Sequence, residues 1–468
     1  MYLAYFILSA CDLLDVIATS TKPEERREWI DWIYHCQHPR GGFRMWPGTD
    51  FGERTNEENA KWDPANIPAT YFALASLLIL GDDLRRVRRE DTLRWVRAMQ
   101  REDGSFGETL VEGKREGGRD PRFGYCATGI RHILRGACPP GPIEVDGERI
   151  DDINLDTYVR CIRNSEVSSC FLLNTSSPQK LLTMSQKNFD GGIADAAFHE
   201  PQAGYTFCAL GSLAFINRLE PGHLTQARSP DCAPSRPHDV VRWLLSLQTD
   251  FTDPESPPSD EAQPMPSSKE DALPPQPSNE NPPPTNLHQS PDKSTMWAAS
   301  DGPSPTLDSA INPTTPPLSM AICPSHPGPI PTAEPTGMCG RPSKPADTCY
   351  AFWAGASLEL LLKQQKQNPN PSPQNASPTE YPALHSPTSL RTYLLTLTQH
   401  PITGGFTKFP HEKWADLYHS YLGLAALSLC SSSADRERDG LKQLDAGMCV
   451  GVGVREWLEG QGGVWEGF

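Results

Sequence analysis

Between Arg341 and Tyr350 the chain packs two cations, a carboxylate, a thiol and a phenol into ten residues: Arg341, Lys344, Asp347, Cys349 and Tyr350. Further on, Asp416-Leu417-Tyr418-His419 supplies an imidazole. Carboxylate, thiolate and imidazole form an acceptable zinc donor set, and three protein ligands leave a fourth position open, the pattern of catalytic rather than structural sites. Spacing alone does not decide the matter. Asp-x-Cys is a common tripeptide, and a buried helix-start thiol beside a helix-capping histidine fits the same residues.

The chain's self-similarity says how these groups could meet. Six segments close an aromatic or aliphatic helical run on glutamine: WIYHCQ at Gln37, WVRAMQ at Gln100, LLTMSQ at Gln186, WLLSLQ at Gln248, YLLTLTQ at Gln399 and VREWLEGQ at Gln461. Most are followed by a glycine turn with an apolar residue, as in Gly41-Gly42-Phe43, Gly104-Ser105-Phe106, Gly191-Gly192-Ile193, Gly404-Gly405-Phe406 and Gly462-Gly463-Val464. Glycine there ends the helix and permits positive φ, and the apolar residue returns to the core.

Between the turns lie stretches hydrophobic nearly all round: 71–80, 125–134, 205–219, 349–362 and 418–429. These are expected to be inner helices covered by the amphipathic glutamine-ended ones. The pairs Gln37/Gln100, Gln186/Gln248 and Gln399/Gln461 are about 62 residues apart, and a repeated inner–outer helix pair stacks into a solenoid that six copies can close into a ring. The expected fold is all-α, an α/α toroid. In a closed ring of parallel inner helices, consecutive helix starts share one rim, so Asp347, Cys349 and His419 can converge.

Gln248 to Gln399 is too long for one repeat. The excess reads as a Pro/Ser-rich insertion over 253–336, disordered for want of apolar residues, dividing the toroid into 1–252 and 337–468. A smaller tract near 367–389 has the same character. A proline-rich partner motif or a tolerated insertion would both fit.

The 468-residue chain has a net charge of −16, which argues against a nucleic-acid binder relying on phosphate neutralisation. An acidic surface suits a basic partner or plain solubility. Thirteen cysteines in no framework spacing point to reduced thiols and a cytoplasmic protein. The opening MYLAYFILSA lacks a basic leader, and Asp12 and Asp15 follow on what reads as the same helix, against a signal peptide. No stable membrane insertion is expected. Met1 falls inside the first apolar helix with no glutamine helix before it, which suggests a short gene model or a truncated product.

GRPSKPADTCYAFWAGASLELL resembles the zinc and diphosphate motif of protein prenyltransferase β subunits, a family of α/α toroids. DLYHSYLGLAALSL is similar to their zinc-histidine motif, and AGYTFCALGSL to their third-repeat helix. The likeness runs from Met1 to Phe468, interrupted by the two polar tracts. It implies one zinc per chain on Asp347, Cys349 and His419. That zinc takes the cysteine of a C-terminal CaaX protein as thiolate, and the thiolate attacks C1 of an isoprenyl diphosphate. Arg341, Lys344 and Tyr350 match the family's diphosphate donors, placed where leaving-group charge develops. The family usually has histidine where Gln202 stands; His199, one turn earlier, could substitute. Arg122, Tyr125, Tyr205 and Trp353 match isoprenoid-pocket positions, although each also fits ordinary toroid core.

Within the family, GRPSKPADTCYAFW and LLILGDDLRRVRREDTLRWVRAMQREDGSFGE are closest to geranylgeranyltransferase type I. Lys408 in GGFTKFP stands where farnesyltransferases have an aspartate that recruits magnesium, so magnesium is not expected to be required. Against this, Tyr2 aligns with a chain-length position that is bulky in farnesyltransferase. The resemblance implies geranylgeranyl diphosphate as donor, CaaX proteins such as Rho-type small GTPases as acceptors, and an obligate α subunit. Farnesyl and Rab-type β subunits remain alternatives, as does a non-catalytic toroid scaffold. Terpene cyclases share the toroid but need an aspartate-rich cavity motif, which is not found.

Overall fold

The computed structural model describes residues 1–136, 139–145, 147–165, 191–197, 199–219, 237–252, 333–367 and 386–460. Their helices are α1 (Tyr2–Leu13), α2 (Val16–Ser20), α3 (Pro23–His35), α4 (Ile67–Ile79), α5 (Arg89–Met99), α6 (Pro121–Arg135), α7 (Leu155–Ser165), α8 (Ala203–Phe215), α9 (Pro237–Leu245), α10 (Thr348–Gln367), α11 (Pro387–Tyr393), α12 (Leu417–Cys430), α13 (Ser433–Asp439) and α14 (Val452–Gly460). Short two-stranded pairs stitch the loops. No described helix is long and apolar enough to cross a membrane.

Helices α1, α4, α6, α8, α10 and α12 pack side by side in that order, and α12 returns to α1, so the inner ring is closed. Every residue of α4 is buried, as its all-round apolar sequence requires. The outer helices α3, α5, α9 and α11 each pack against an inner helix, and α7 reaches α8 through the hydrogen bond from the Tyr158 hydroxyl to Ser212. The ring is the expected α/α toroid.

One hydrogen-bond rule repeats around it. The apolar turn residue takes the backbone N–H of the residue that begins the next inner helix: Phe43 from Asn66, Ile193 from Gln202, Met338 from Asp347 and Phe406 from Asp416. The residue after it donates back to the end of the outer helix: Arg44 to Cys36, Gly107 to Met99, Ala194 to Ser165, Cys339 to Leu247 and Thr407 to Thr398. These bonds tie each outer helix to the N-terminal rim of the ring and satisfy backbone groups that the helix ends leave orphaned.

Two findings extend the sequence reading and a third corrects it. In the third repeat the outer helix that closes the turn is α7, ending at Ser165; Gln186 lies outside the described residues. In the fourth, the turn missing after Gln248 is Gly337-Met338, which pairs with Gln248 and Thr249 across the long insertion. Finally, Asp15 does not continue the first helix, because its φ of 59° breaks the chain between α1 and α2. Of the expected 253–336 insertion only 333–336 are described, and Thr336 is already fastened there by the Gln248 amide at 2.8 Å. Most of the second polar tract, and the sixth turn after Gln461, also lie outside the described residues.

Candidate active site

Gln202, Asp347 and Asp416 hold one station in three consecutive repeats: the residue that starts an inner helix and whose side chain caps it. Gln202 accepts from the N–H groups of Gly204 and Tyr205, Asp347 from that of Cys349 at 2.8 Å and Asp416 from that of His419 at 2.9 Å. Capping is what these residue types do at a helix start. Here it also sets consecutive polar side chains side by side on the rim of the ring.

Asp347, Cys349 and His419 converge there, all buried, with potential ligand atoms within 4.8 Å of one another. His419 Nε2 lies 3.6 Å from Asp347 Oδ1, and Nδ1 lies 2.5 Å from Asp416 Oδ2. Burial lowers the imidazole pKa, but the hydrogen bonds and charges of Asp347 and Asp416 outweigh it and raise the value to about 9. Burial pushes the Cys349 thiol well above its ordinary value, and the Asp347 charge pushes the same way; Tyr418 and Lys408 oppose them. The pocket thus attracts positive charge while protonating its own thiol. A divalent cation suits it on both counts, since it replaces the imidazolium proton and stabilises the thiolate.

The supports are backbone bonds to the neighbouring turns. Thr348, between the two candidate ligands, donates its N–H to the Lys408 carbonyl at 3.0 Å and its hydroxyl to the Thr407 carbonyl at 2.7 Å. Lys408 is thereby anchored beside Cys349, with its ammonium 4.8 Å from the Phe409 ring centre. The Gln202 amide donates to the Tyr350 hydroxyl at 3.0 Å. Gly340 leaves room for that ring: a Cβ there would lie 2.2 Å from Tyr350 Cζ. Arg341 and Lys344 are exposed, and Arg341 pairs with Glu200 at 3.1 Å. His199 instead sits beside Asp195, at 2.9 Å.

Below this rim an unbroken belt of aromatic rings crosses all six inner helices. Phe6 meets Phe72 at 6.0 Å, Tyr71 meets Tyr125 at 5.3 Å, and Tyr125 meets Phe207 at 5.4 Å. Phe207 meets Trp353 at 5.1 Å, Trp353 Nε1 donates to the Tyr418 hydroxyl at 3.3 Å, and Tyr418 returns to Phe6 at 5.6 Å. Arg122, held by Asp120 at 2.7 Å, lies over the Tyr205 ring at 5.4 Å. Tyr2 stands edge-on to Phe72 at 5.2 Å. Apolar walls with aromatic faces suit an unsaturated hydrocarbon chain and carbocation character at its head.

Sequence reasoning gave no role to Asp416 or Tyr418. The signal for Asp416 was available: an acidic residue three before a histidine at a helix start caps the helix and reaches the ring nitrogen.

The chain was compared with known proteins. Residues 1–450 match the model of the prenyltransferase alpha-alpha toroid domain. Geranylgeranyl transferase type-1 subunit beta of Dictyostelium discoideum is 36% identical over 445 residues, covering 91% of this chain and 82% of that one. The Arabidopsis thaliana protein of the same name is 24% identical over 385 residues, 81% of this chain and 64% of its own length, so the match spans just under two thirds of that relative. Candida albicans protein geranylgeranyltransferase-I complexed with GGPP superposes with a TM-score of 0.59 at 20% identity, covering 98% of this chain and 90% of that one, a likeness of fold.

Proposed function

The chain belongs to the prenyltransferase alpha-alpha toroid family, and from that premise we propose that it is the β subunit of a protein geranylgeranyltransferase type I. In this reading it works in the cytoplasm with an α subunit and moves a geranylgeranyl group from geranylgeranyl diphosphate to the cysteine of CaaX proteins such as Rho-type small GTPases. The observation that carries the reading is the buried triad of Asp347, Cys349 and His419 on the rim of an aromatic-walled ring.

Asp347, Cys349 and His419 would hold one zinc ion. When bound, zinc supplies a Lewis acid that keeps the acceptor cysteine as a thiolate at neutral pH. Asp416 fixes the His419 ring and leaves Nε2 facing the site. Tyr350, Lys408, Arg341 and Lys344 would take up charge on the departing diphosphate, where stabilisation grows as the C1–O bond breaks. Gln202 positions the Tyr350 hydroxyl. Arg341 would exchange Glu200 for the diphosphate. The aromatic belt, with Tyr125 and Trp353 in it and Tyr205 and Arg122 beside it, would enclose the hydrocarbon and exclude water.

Lys408 supports the type I reading, because its ammonium supplies charge that other members of the family are expected to obtain from magnesium. Tyr2 favours a second reading. Its ring stands against Phe72 of the belt and would shorten the cavity, which suits a farnesyl donor. The αβ enzyme, reconstituted and offered both diphosphates with and without magnesium, separates the two. Geranylgeranyl transfer independent of magnesium is expected. Preference for the farnesyl donor, or steep magnesium dependence, would overturn the type I assignment.

A further inference from the structure

A hairpin enters the ring from the end opposite the metal-ligating rim. It starts where the Lys442 N–H donates to the Leu13 carbonyl at the foot of α1, at 2.8 Å, and it closes where the Val452 N–H donates to the Gln443 carbonyl at 2.8 Å. Between them Leu444 pairs with Gly451 and Asp445 with Val450. At its tip three consecutive carbonyls accept four tyrosine hydroxyls from four inner helices. Tyr125 donates to Gly447 at 2.7 Å, Tyr71 to Met448 at 2.7 Å, and Tyr5 and Tyr421 both to Cys449, at 2.7 and 2.8 Å. Asp445 stiffens the tip from within, its Oδ1 accepting from the N–H groups of Gly447 and Met448 at 3.1 and 2.9 Å.

Cys449 is the tip residue that reaches the middle of the ring. Its sulfur lies 3.3 Å from the Tyr125 hydroxyl. It is an electrostatic neighbour of Tyr5 on α1, Tyr71 on α4, Cys126 on α6, Cys208 on α8 and Tyr421 on α12. Cys449 keeps 6% of its surface accessible, as does Tyr125, and Cys208 keeps 7%. The Cys449 side chain thus faces the interior of the ring, among groups from five of its inner helices. Tyr71 and Tyr125 belong to the aromatic belt, and Tyr5 and Tyr421 stack on its Phe72 and Phe6, so the belt's floor and the hairpin tip are one structure.

We infer that the Cys449 side chain is the stop for the far end of the isoprenoid, and so helps set which donor length the ring accepts. The inference rests on the proposed function, which places an isoprenyl diphosphate in this cavity with its head at the rim. A floor of main chain bonded to four helices yields little. A chain one isoprene unit too long must therefore fold back or stay out, and that makes a short side chain at the tip a length filter.

The backbone makes the test clean. Cys449 has a φ of 59°, a region in which glycine is at ease and other residues are strained. Cys449→Gly therefore removes the side chain, relieves the backbone and keeps the carbonyl that Tyr5 and Tyr421 need. Cys449→Phe instead extends the side chain farther into the ring. The αβ enzyme and both variants are titrated with farnesyl, geranylgeranyl and geranylfarnesyl diphosphates. Direct binding is read by tryptophan fluorescence and turnover by kcat/KM, with melting temperature as the check on folding. Cys449→Gly is expected to shift preference toward the longer donor by about tenfold, and Cys449→Phe toward the shorter by as much or more. If the wild-type enzyme binds these donors with a length preference that a folded Cys449→Gly leaves unchanged, the inference is overturned and the proposed function stands. If the wild-type enzyme binds no isoprenyl diphosphate, the proposed function fails and the inference with it.

Discussion

His419 is gripped from both sides: Nδ1 lies 2.5 Å from the carboxylate of Asp416, and Nε2 faces Asp347 at 3.6 Å. Asp416 thus serves twice, as cap of α12 and as the group that fixes the tautomer and angle of the candidate ligand. Such partners raise the basicity of a ligating imidazole, and losing one typically costs about 10- to 100-fold in metal affinity. Asp416→Asn keeps the cap and weakens the ring contact. It should lower zinc affinity within that range in chelator competition, with a cooperative melting curve showing that the metal-free protein still folds.

The same grip has a pH signature. In the metal-free protein the imidazole pKa is raised to about 9 from an ordinary value of 6.5. A base raised on folding stabilises the fold fully below its unfolded pKa, and loses that contribution as pH climbs through the folded one. Metal-free protein should therefore lose stability from about pH 6.5 to 9, on the order of 3 kcal/mol at most. His419→Gln should flatten that slope in denaturant titrations. Zinc needs the neutral ring and the Cys349 thiolate, so binding releases two protons and its apparent affinity should climb over the same window by up to about a hundredfold per pH unit.

Gly340 tests the diphosphate side independently of the metal. Its missing Cβ makes room for the Tyr350 ring, and its carbonyl takes the Ala203 N–H that starts α8, at 3.0 Å. Gly340→Ala must displace Tyr350 from the Gln202 amide. Transfer should drop by about tenfold or more, the cost of losing one donor to developing charge, while zinc content stays at one per chain. An unchanged rate would remove Tyr350 from the proposed diphosphate site.

The ring, its inner helices and the meeting of Asp347, Cys349 and His419 were legible because a repeat converts sequence spacing into position on a rim. The misreadings fall where that conversion breaks. In the third repeat the turn bonds to Ser165, where α7 ends without a glutamine. Helical periodicity marks amphipathic stretches but not where one ends. Gly337-Met338 stayed hidden because more than eighty residues part it from the glutamine it completes. The tyrosine clamp on 447–449 was invisible for another reason: Tyr5, Tyr71, Tyr125 and Tyr421 read as core, and their hydroxyls find partners only once the ring has closed around the hairpin.

The pairing of Gln248 with Met338 and of Thr249 with Gly337 makes the fourth turn complete without most of what lies between. Loop closure costs about 0.6 kcal/mol for each doubling of length. Replacing residues 253–332 with a short Gly/Ser linker should therefore stabilise the protein by about 2 kcal/mol and leave donor binding intact. A melting curve and a fluorescence titration suffice. Loss of the fold would mean that the insertion supplies contacts to the ring.

Lys408 carries the sharpest prediction about cations. Its carbonyl holds Thr348, between the two candidate ligands, and its own N–H donates to Glu412 at 2.9 Å. The backbone is thus fixed whatever the side chain, and substitution there reads the ammonium alone. If that ammonium neutralises the leaving diphosphate, Lys408→Ala should lower kcat by about 100-fold, in the range seen when one stabilising group is removed. Zinc binding should be nearly unaffected. Lys408→Asp should be worse than alanine without magnesium, since it sets a carboxylate against the diphosphate. It should recover with millimolar magnesium, because the carboxylate and the diphosphate together make an oxygen site of the kind that ion prefers. Recovery in the aspartate variant and not in the wild type would mean that one side chain decides whether the reaction needs the metal. Equal magnesium response in both would place Lys408 away from the diphosphate and remove the main structural support for the type I reading.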